Sequence, residues 1–163
     1  NAVFNKARFT VIILDNETTA MTGHQVHPGV GLLPDGTRTK KVMIEGVVKA
    51  CGVEFVRVVD VFDMKEIVNA IMDGASFDGI SVIIARGPCT LLTLRAEERE
   101  AVYRIDRELC TGCKLCVNRY GCPAIRLEDD GVVIIEELCA GCGVCADKLV
   151  CPKEAIKRMR YEK

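Results

Sequence analysis

Three apolar runs rich in β-branched residues stand out in the first ninety positions of the chain. They are FTVIIL (9–14), VEFVRVV (53–59) and GISVIIA (79–85). Each run is short and is bounded by glycine or polar residues, which predicts three β-strands that are largely buried.

The segments between these runs carry apolar residues at helical spacing. In KKVMIEGVVKAC (40–51) the apolar positions are Val42, Ile44, Val47, Val48 and Cys51. Because Cys51 falls on this face, we expect it in the core.

The second helix is predicted from a capping motif at its N-terminus. Asp63 and Glu66 have the spacing of a capping box, and Ile67, Val68 and Ile71 follow on one face. Strands separated by helices predict parallel pairing, so the fold class is α/β with part of a doubly wound parallel sheet. A sheet that is apolar on both faces needs cover on both sides, and we therefore expect further chain or a partner chain to complete the layer.

From residue 91 onward the pattern changes. LLTLRAEEREAV (91–102) is a charged segment and is predicted as a partly helical linker. It separates an α/β domain (1–90) from a small cysteine-rich α+β domain (103–163). Within that second domain RLEDDGVVII (126–135) predicts a hairpin that turns at Asp129–Gly131.

The cysteine-rich domain contains an internal repeat. CTGCKLCVNRYGCPAI (110–125) and CAGCGVCADKLVCPKEAI (139–156) share the pattern C-x2-C-x2-C-x5-C-P. Three thiolates at this spacing suit one corner of a 4Fe–4S cluster, and the cysteine before proline characteristically serves the other cluster. The predicted ligands of the first cluster are Cys110, Cys113, Cys116 and Cys151, and those of the second are Cys139, Cys142, Cys145 and Cys122.

Zinc and disulfides are the alternatives for these cysteines. Paired C-x2-C motifs also bind zinc, but a structural zinc site needs only four ligands and gains nothing from a third cysteine and a Cys-Pro. Clustered cysteines favour metal over disulfides.

Composition and net charge restrict the kinds of function that the chain could have. The chain has 163 residues, a net charge of −1 and ten cysteines, and it does not begin with Met. The charge gives no indication of nucleic acid or an anionic membrane as partner, and no apolar run approaches the ~20 residues of a membrane span. We expect the chain to be part of a longer polypeptide in a reducing cytoplasm, since free thiols and low-potential clusters require reducing conditions.

The cysteine-rich domain resembles the bacterial two-cluster ferredoxins over about 60 residues. It departs from them in the gap before Cys-Pro, which is five residues here and usually three. Residues 103–163 carry 11 Lys and Arg against 10 Asp and Glu. This near-neutral balance favours an electron relay tethered within an enzyme over a freely diffusing carrier.

The segment LDNETTAMTGHQVHPG (14–29) follows the first predicted strand. Open parallel sheets bind ligands at the carboxyl ends of their strands, where this segment lies. Asn16 offers a side-chain oxygen, and the backbone carbonyl two residues later can point to the same place, a donor pair suited to Mg²⁺.

This segment is similar to the second half of the thiamine diphosphate and Mg²⁺ motif of ferredoxin-dependent 2-oxoacid oxidoreductases. Together with ARGPC (85–89) and the two cysteine motifs, it resembles the alpha subunits of indolepyruvate:ferredoxin oxidoreductases over essentially the whole chain. The resemblance implies that Asn16 binds Mg²⁺ through its side chain and Thr18 through its backbone carbonyl. It also implies that Asp15 and Gly23 shape the diphosphate loop.

The same resemblance implies the reaction and its partners. Aryl-2-oxoacids such as indolepyruvate would be oxidatively decarboxylated to acyl-coenzyme A, and the clusters would pass electrons to an external ferredoxin. A beta subunit is implied as partner. The Gly-Asp half of the motif is absent from this chain, so we expect little independent cofactor binding or activity.

Four other side chains could have either a functional or a structural role. His24 could orient a substrate carboxylate or relay a proton, or it could be an ordinary hydrogen-bonded loop histidine; His27, before Pro28, is the weaker candidate. Cys89 could be a thiol at the cofactor, but a buried structural role is favoured. Cys51 is the predicted core residue.

Two alternative functions remain open from the sequence. The chain could be a non-enzymatic electron-transfer protein with an α/β docking segment. Among enzymes, an oxidoreductase of the pyruvate or branched-chain type is the nearer alternative.

Overall fold

A computed structural model describes residues 1–95 and 99–161 of the chain. The chain divides into two compact units, Asn1–Cys89 and Thr90–Lys163.

The first unit is built on a three-stranded parallel sheet. Its strands are β1 (Phe9–Asp15), β2 (Phe55–Asp60) and β3 (Ile80–Arg86), and the spatial order is β1-β3-β2. β3 is central and is buried from Ser81 to Ala85, as its continuous apolar sequence requires. The predicted α/β class and parallel sheet are confirmed.

Two helices lie between the strands along the chain: α1 (Ile44–Ala50) precedes β2, and α2 (Met64–Ser76) follows it. Asp63 caps α2, since its side chain accepts a hydrogen bond of 2.8 Å from the Glu66 backbone N–H. The Glu66 carboxylate accepts from the Asp60 N–H at the end of β2. One half of the predicted capping box is therefore formed, and the other half ties the helix to the strand.

The core between α2 and the sheet corrects one prediction. Ile67 and Ile71 pack on the buried residues Val59, Ala70, Ile83 and Ala85 as expected. Val68 does not, and it remains 44% exposed. The buried stripe of α2 runs instead through Ala70 and Gly74, where the helix comes closest to the sheet: a Cβ at Gly74 would lie 3.0 Å from the Ser81 hydroxyl oxygen.

Cys51 is exposed, so its assignment to the core was wrong. α1 ends at Ala50, and Cys51 occupies the position just beyond the last helical turn. Its N–H still donates to the Val47 carbonyl, so it continues the helical turn, but the face that it shares with Val47 is itself exposed (Val47 54%).

The second unit combines short strands with cysteine loops. Its elements are α3 (Thr90–Arg95), β4 (Ala101–Ile105), β5 (Ile125–Glu128), β6 (Gly131–Ile134) and β7 (Ile156–Arg160). β4 pairs antiparallel with β7, and β5 with β6. Glu128 faces Gly131 across a two-residue turn, which confirms the predicted hairpin. Residues 96–98 of the predicted linker lie outside the described residues.

No helix among the described residues is long and apolar enough to cross a membrane.

Candidate functional site

The first four predicted cluster ligands lie around one cavity. Cys110, Cys113 and Cys116 come from the first repeat, and Cys151 reaches the same cavity from the second. Apolar side chains complete its wall, among them Ile105, Val132 and Ile156. Such a lining limits the access of water to a bound group.

The electrostatics of the thiols support the same grouping. Burial raises the pKa of Cys116, and the nearby Cys151 and Cys113 raise it further. The Ala155 backbone N–H points to the Cys151 sulfur at 3.3 Å. An N–H group at this place stabilises negative charge on that sulfur.

The other four cysteines form a second, more buried group. Cys139 and Cys145 are buried, whereas Cys113 of the first group is exposed. Burial, together with Cys142, Cys139 and Cys122, raises the pKa of Cys145 to about 12. The Cys122 side chain of the first repeat packs on the cores that contain Cys145 and Cys139 of the second.

These thiols fit a metal cluster by their chemistry. Cysteine ligands bind as thiolates, and a free thiol with a raised pKa stays protonated at neutral pH, so metal binding has to release its proton. Among residues 1–95 and 99–161, no three His, Cys, Asp or Glu side chains converge as a site for a single metal ion. That each thiol binds iron remains a prediction.

Two tyrosines beside the second cysteine group were not predicted from the sequence. Tyr120 and Tyr103 both pack on the core of this unit. Burial raises the pKa of Tyr120 well above its usual value, and Cys142 and Cys122 act in the same direction. A Cβ at Gly143 would lie 2.7 Å from the Tyr103 hydroxyl oxygen, so that hydroxyl lies against the loop between Cys142 and Cys145.

In the first unit the carboxyl ends of β1 and β3 are joined by an ion pair that sequence reasoning missed. The Arg86 guanidinium donates to Asp15 at 2.7 Å and to Glu45 of α1 at 2.8 Å. Asp15 is 5% and Arg86 19% exposed in their side chains, so both are largely shielded from water. The hydrogen bond from Arg86 lowers the pKa of Glu45.

The loop after β1 is fixed by hydrogen bonds to the segment after β3. The Gly87 N–H donates to the Asp15 carbonyl, and the Cys89 N–H donates to the Asn16 carbonyl, both at 3.1 Å. The Asn16 side-chain oxygen accepts from the Thr18 N–H at 3.3 Å, and Thr18 is buried. Asn16 and Thr18 therefore lie in one tight turn at the end of β1.

This turn offers oxygen donors of the kind that Mg²⁺ prefers, the Asn16 amide oxygen and the Thr18 carbonyl. Two donors form only part of an octahedral site. The Asp15 carboxylate accepts from Arg86 at one oxygen and from the Glu17 N–H at the other. The residues present fit a partial Mg²⁺ site, and the metal-binding roles of Asn16 and Thr18 remain predictions.

The side chains of His24 and Cys89 lie close to each other near this turn. The Cys89 sulfur lies 3.8 Å from the His24 Nε2 atom, and Cys89 is half-buried rather than fully buried. Gly23 (φ 116°) and His24 (φ 63°) both have left-handed backbone conformations, which bend the loop back toward Thr19. The His27 Nδ1 atom accepts from the Gly29 N–H at 3.1 Å, a contact within its own loop.

Comparisons with known proteins identify a family for the first unit and relatives for most of the chain. Residues 1–85 match the family described as "Thiamine pyrophosphate enzyme, C-terminal TPP binding domain". The chain is 46% identical over 137 residues to indolepyruvate oxidoreductase subunit IorA of Archaeoglobus fulgidus, a match that covers 82% of this chain and 22% of that protein.

Two further relatives have the same description. The chain is 43% identical over 129 residues to IorA of Pyrococcus abyssi, covering 77% of this chain and 20% of that protein. It is 41% identical over 136 residues to IorA of Methanothermobacter marburgensis, covering 83% and 22%. The chain thus spans about a fifth of the length of the curated relatives that it matches. It belongs to the thiamine pyrophosphate enzymes that share this C-terminal binding domain, and it is similar to part of the indolepyruvate oxidoreductase subunits named IorA.

Proposed function

We propose that the chain serves a 2-oxoacid oxidoreductase that converts aryl-2-oxoacids such as indolepyruvate to acyl-coenzyme A. In this proposal two 4Fe–4S clusters in the second unit relay the electrons to ferredoxin. The observation that carries the proposal is the crossed arrangement of the cysteines, in which each group takes three thiols from one repeat and the fourth from the other. This arrangement is characteristic of two-cluster ferredoxins.

The cysteine unit would hold the clusters and exclude water from them. When bound, a 4Fe–4S cluster accepts and releases single electrons. The first cluster would be held by Cys110, Cys113, Cys116 and Cys151. The Ala155 N–H would stabilise negative charge on the Cys151 sulfur. Cys139, Cys142, Cys145 and Cys122 would hold the second.

The first unit would contribute part of a thiamine diphosphate site. When bound, thiamine diphosphate stabilises the carbanion that forms on decarboxylation. Asn16 and Thr18 would hold Mg²⁺, and Gly23 would let the loop turn beside the diphosphate. The His24 imidazole, placed beside Cys89, would orient the substrate carboxylate or hold a proton.

The relatives are named as subunits of an oxidoreductase, which supports the presence of a partner subunit. We propose a beta subunit as that partner, with external ferredoxin as electron acceptor and coenzyme A as acyl acceptor. The cytoplasm is the proposed compartment, because low-potential clusters require reducing conditions.

Metal analysis of the chain after anaerobic reconstitution tests the cluster assignment. We expect about eight irons and eight sulfides per chain, four of each per site, without zinc. Cys51→Ser is the matched control, since Cys51 is exposed and lies outside both groups. Stoichiometric zinc, or iron that falls in the Cys51→Ser variant, would contradict the assignment.

Double variants test the crossed pairing. Cys116→Ser with Cys151→Ser removes two ligands of one site, so about half of the iron should remain. Cys116→Ser with Cys122→Ser removes one ligand from each site and should lower the iron of both. The reverse result, with one site intact in Cys116→Ser/Cys122→Ser and both sites affected in Cys116→Ser/Cys151→Ser, would show that the thiols are grouped within each repeat.

The thiamine diphosphate assignment is tested in the whole subunit with its partner. Asn16→Ala should weaken Mg²⁺-dependent cofactor binding at least tenfold, measured by calorimetry, because one metal ligand is removed. Asn5→Ala, an exposed change before β1, is the control. Unchanged binding by Asn16→Ala would refute the Mg²⁺ role of Asn16.

A further inference from the structure

The segment that leads into Cys139 is held by an arginine from outside its own repeat. Residues Glu136–Leu138 form a short 3₁₀ turn, and Cys139 follows as its C-terminal cap. The Arg99 Nη1 atom donates to the Glu136 carbonyl at 2.8 Å and to the Cys139 carbonyl at 2.9 Å. It lies 3.4 Å from the Glu137 carbonyl oxygen. Carbonyl groups at the end of a helical turn lack partners within the helix, and Arg99 supplies a donor for them.

Arg99 is itself fixed by an aromatic ring. Its guanidinium carbon lies 3.9 Å from the centroid of the Tyr161 ring, a distance at which a cation is attracted to the face of the ring. Tyr161 packs on the buried core that contains Cys139, and its backbone N–H donates to the Glu100 carbonyl at 3.1 Å. The ring and the carbonyl groups therefore hold the half-buried Arg99 guanidinium in one place next to Cys139.

The first repeat organises the equivalent segment with a residue of its own. The four residues before Cys110 occupy the position of the four before Cys139. There the Asp106 carboxylate accepts from the Glu108 N–H at 3.0 Å, and the Asp106 carbonyl accepts from the Cys110 N–H at 3.0 Å. An anion thus organises the approach to Cys110, whereas a cation organises the approach to Cys139.

We propose that Arg99 is a positioning residue of the second cluster: it holds the segment that presents Cys139, and its positive charge raises the reduction potential of that cluster. Reduction adds negative charge to a cluster, and the potential depends on the charges and hydrogen bonds around it. A guanidinium is not deprotonated in proteins, so this charge is permanent. The inference deepens the proposed function and rests on it in requiring two clusters.

The contacts of Arg99 leave its charge uncompensated. The Glu136 carboxylate pairs with Arg104 of β4. The hydrogen bonds of Arg99 go instead to uncharged carbonyl oxygens. Because Arg99 is half-buried, salt screens its charge less than it screens that of an exposed residue. The charge therefore acts on the Cys139 segment and on a cluster bound there.

The test is a redox titration of the anaerobically reconstituted chain, followed by electron paramagnetic resonance, with iron analysis of each variant. Arg99→Gln removes the charge and should make one midpoint potential more negative while the other stays unchanged. We expect about a tenfold change in the ratio of reduced to oxidised cluster at fixed poise, which is ~59 mV for a one-electron couple. Arg99→Lys keeps the charge without the planar fork and should restore most of that potential.

Two further measurements assign the shift. Arg126→Gln is the matched control: Arg126 is exposed on β5, so the same loss of charge should leave both potentials unchanged. In the background of Cys116→Ser with Cys151→Ser, which should retain only the second cluster, Arg99→Gln should produce the same negative shift. A shift confined to the other cluster would overturn the inference.

Unchanged potentials in Arg99→Gln would also overturn the inference, and so would equal shifts in Arg99→Gln and Arg99→Lys, since the charge would not be the cause. If Arg99→Gln does not load its second cluster, Arg99→Lys decides. A loaded cluster at nearly the original potential supports the inference, and loss of that iron in both variants overturns the effect of charge. If the unmodified chain fails to bind two clusters, the proposed function fails instead, so the two failures are distinguishable.

Discussion

Arg86 binds two carboxylates at the end of the sheet where the cofactor is proposed to bind. The register of β1 and β3 sets Asp15 opposite Arg86, and α1 adds Glu45. One guanidinium with several donors can serve two carboxylates at once, which a lysine could not do in the same geometry. The turn of Asn16 and Thr18 follows directly from the strand end that this ion pair fixes.

Arg86→Met should destabilise the first unit by about 3 kcal/mol, because it leaves the buried Asp15 carboxylate without its partner. Hydrogen exchange at the β1 and β3 amides measures the effect. Arg57→Met is the matched control: Arg57 and Asp73 form an exposed pair, with side chains 46% and 52% exposed, worth at most about 1 kcal/mol. Equal costs for the two variants would contradict a special role for Arg86.

The same ion pair predicts a pH dependence. Arg86 holds the pKa of Glu45 below its ordinary value of 4.5 in the folded state. The stabilisation is therefore present above pH 4.5 and is lost as the pH falls through the lowered pKa. The β1 and β3 amides should lose protection in that acid range, and Arg86→Met should remove the part due to Glu45.

At the scale of elements, equivalent positions of the two cysteine loops differ in their neighbours. Gly112 and Gly141 each follow the first cysteine of a repeat by two residues, and both have left-handed backbones (φ 67° and 73°). A Cβ on Gly112 would meet nothing within 4 Å, whereas one on Gly141 would collide with the Ala101 carbonyl oxygen of β4. The loop that contains Gly141 is thus in close contact with β4.

Gly141→Ala should therefore cost more than Gly112→Ala. Both variants carry the backbone penalty of about 1–2 kcal/mol for a side chain in the left-handed region. Gly141→Ala additionally has to move backbone, so its melting temperature after reconstitution should be clearly lower. Equal melting temperatures would mean that the contact with β4 is not retained in solution.

At the scale of the whole molecule, the two units have separate cores of different composition. The core of the first unit, which includes Ile83 and Ala70, contains no cysteine among the described residues. The cores of the second unit include Cys145 and Cys139. Metal binding should consequently support the fold of one unit much more than that of the other.

Iron removal from the reconstituted chain by an anaerobic chelator should lower hydrogen-exchange protection in β4–β7. Protection in β1–β3 should be unchanged, because that core contains no metal ligand. Chelator added to the unreconstituted chain is the control. Loss of protection in β3 after chelation would contradict this division.

The sequence by itself determined the features that depend on near neighbours. The three strands, the cap at Asp63 and the hairpin after Glu128 follow from periodicity and turn chemistry within a few residues. The cysteine spacing likewise predicts a crossed grouping of the thiols, because that grouping is encoded in the repeat itself. Only the tertiary structure decided the rest: the partners of Arg86, the contact of His24 with Cys89, and the exposure of Val68 and Cys51.

Tyr120 and Leu149 also show the difference between local pattern and tertiary packing. Both occupy one position of a repeat, yet one is half-buried beside a cysteine and the other is exposed. The physical reason is that local pattern fixes backbone conformation and the types of side chain available. Which distant residues become neighbours, and hence which cation meets which carboxylate, depends on how the elements pack.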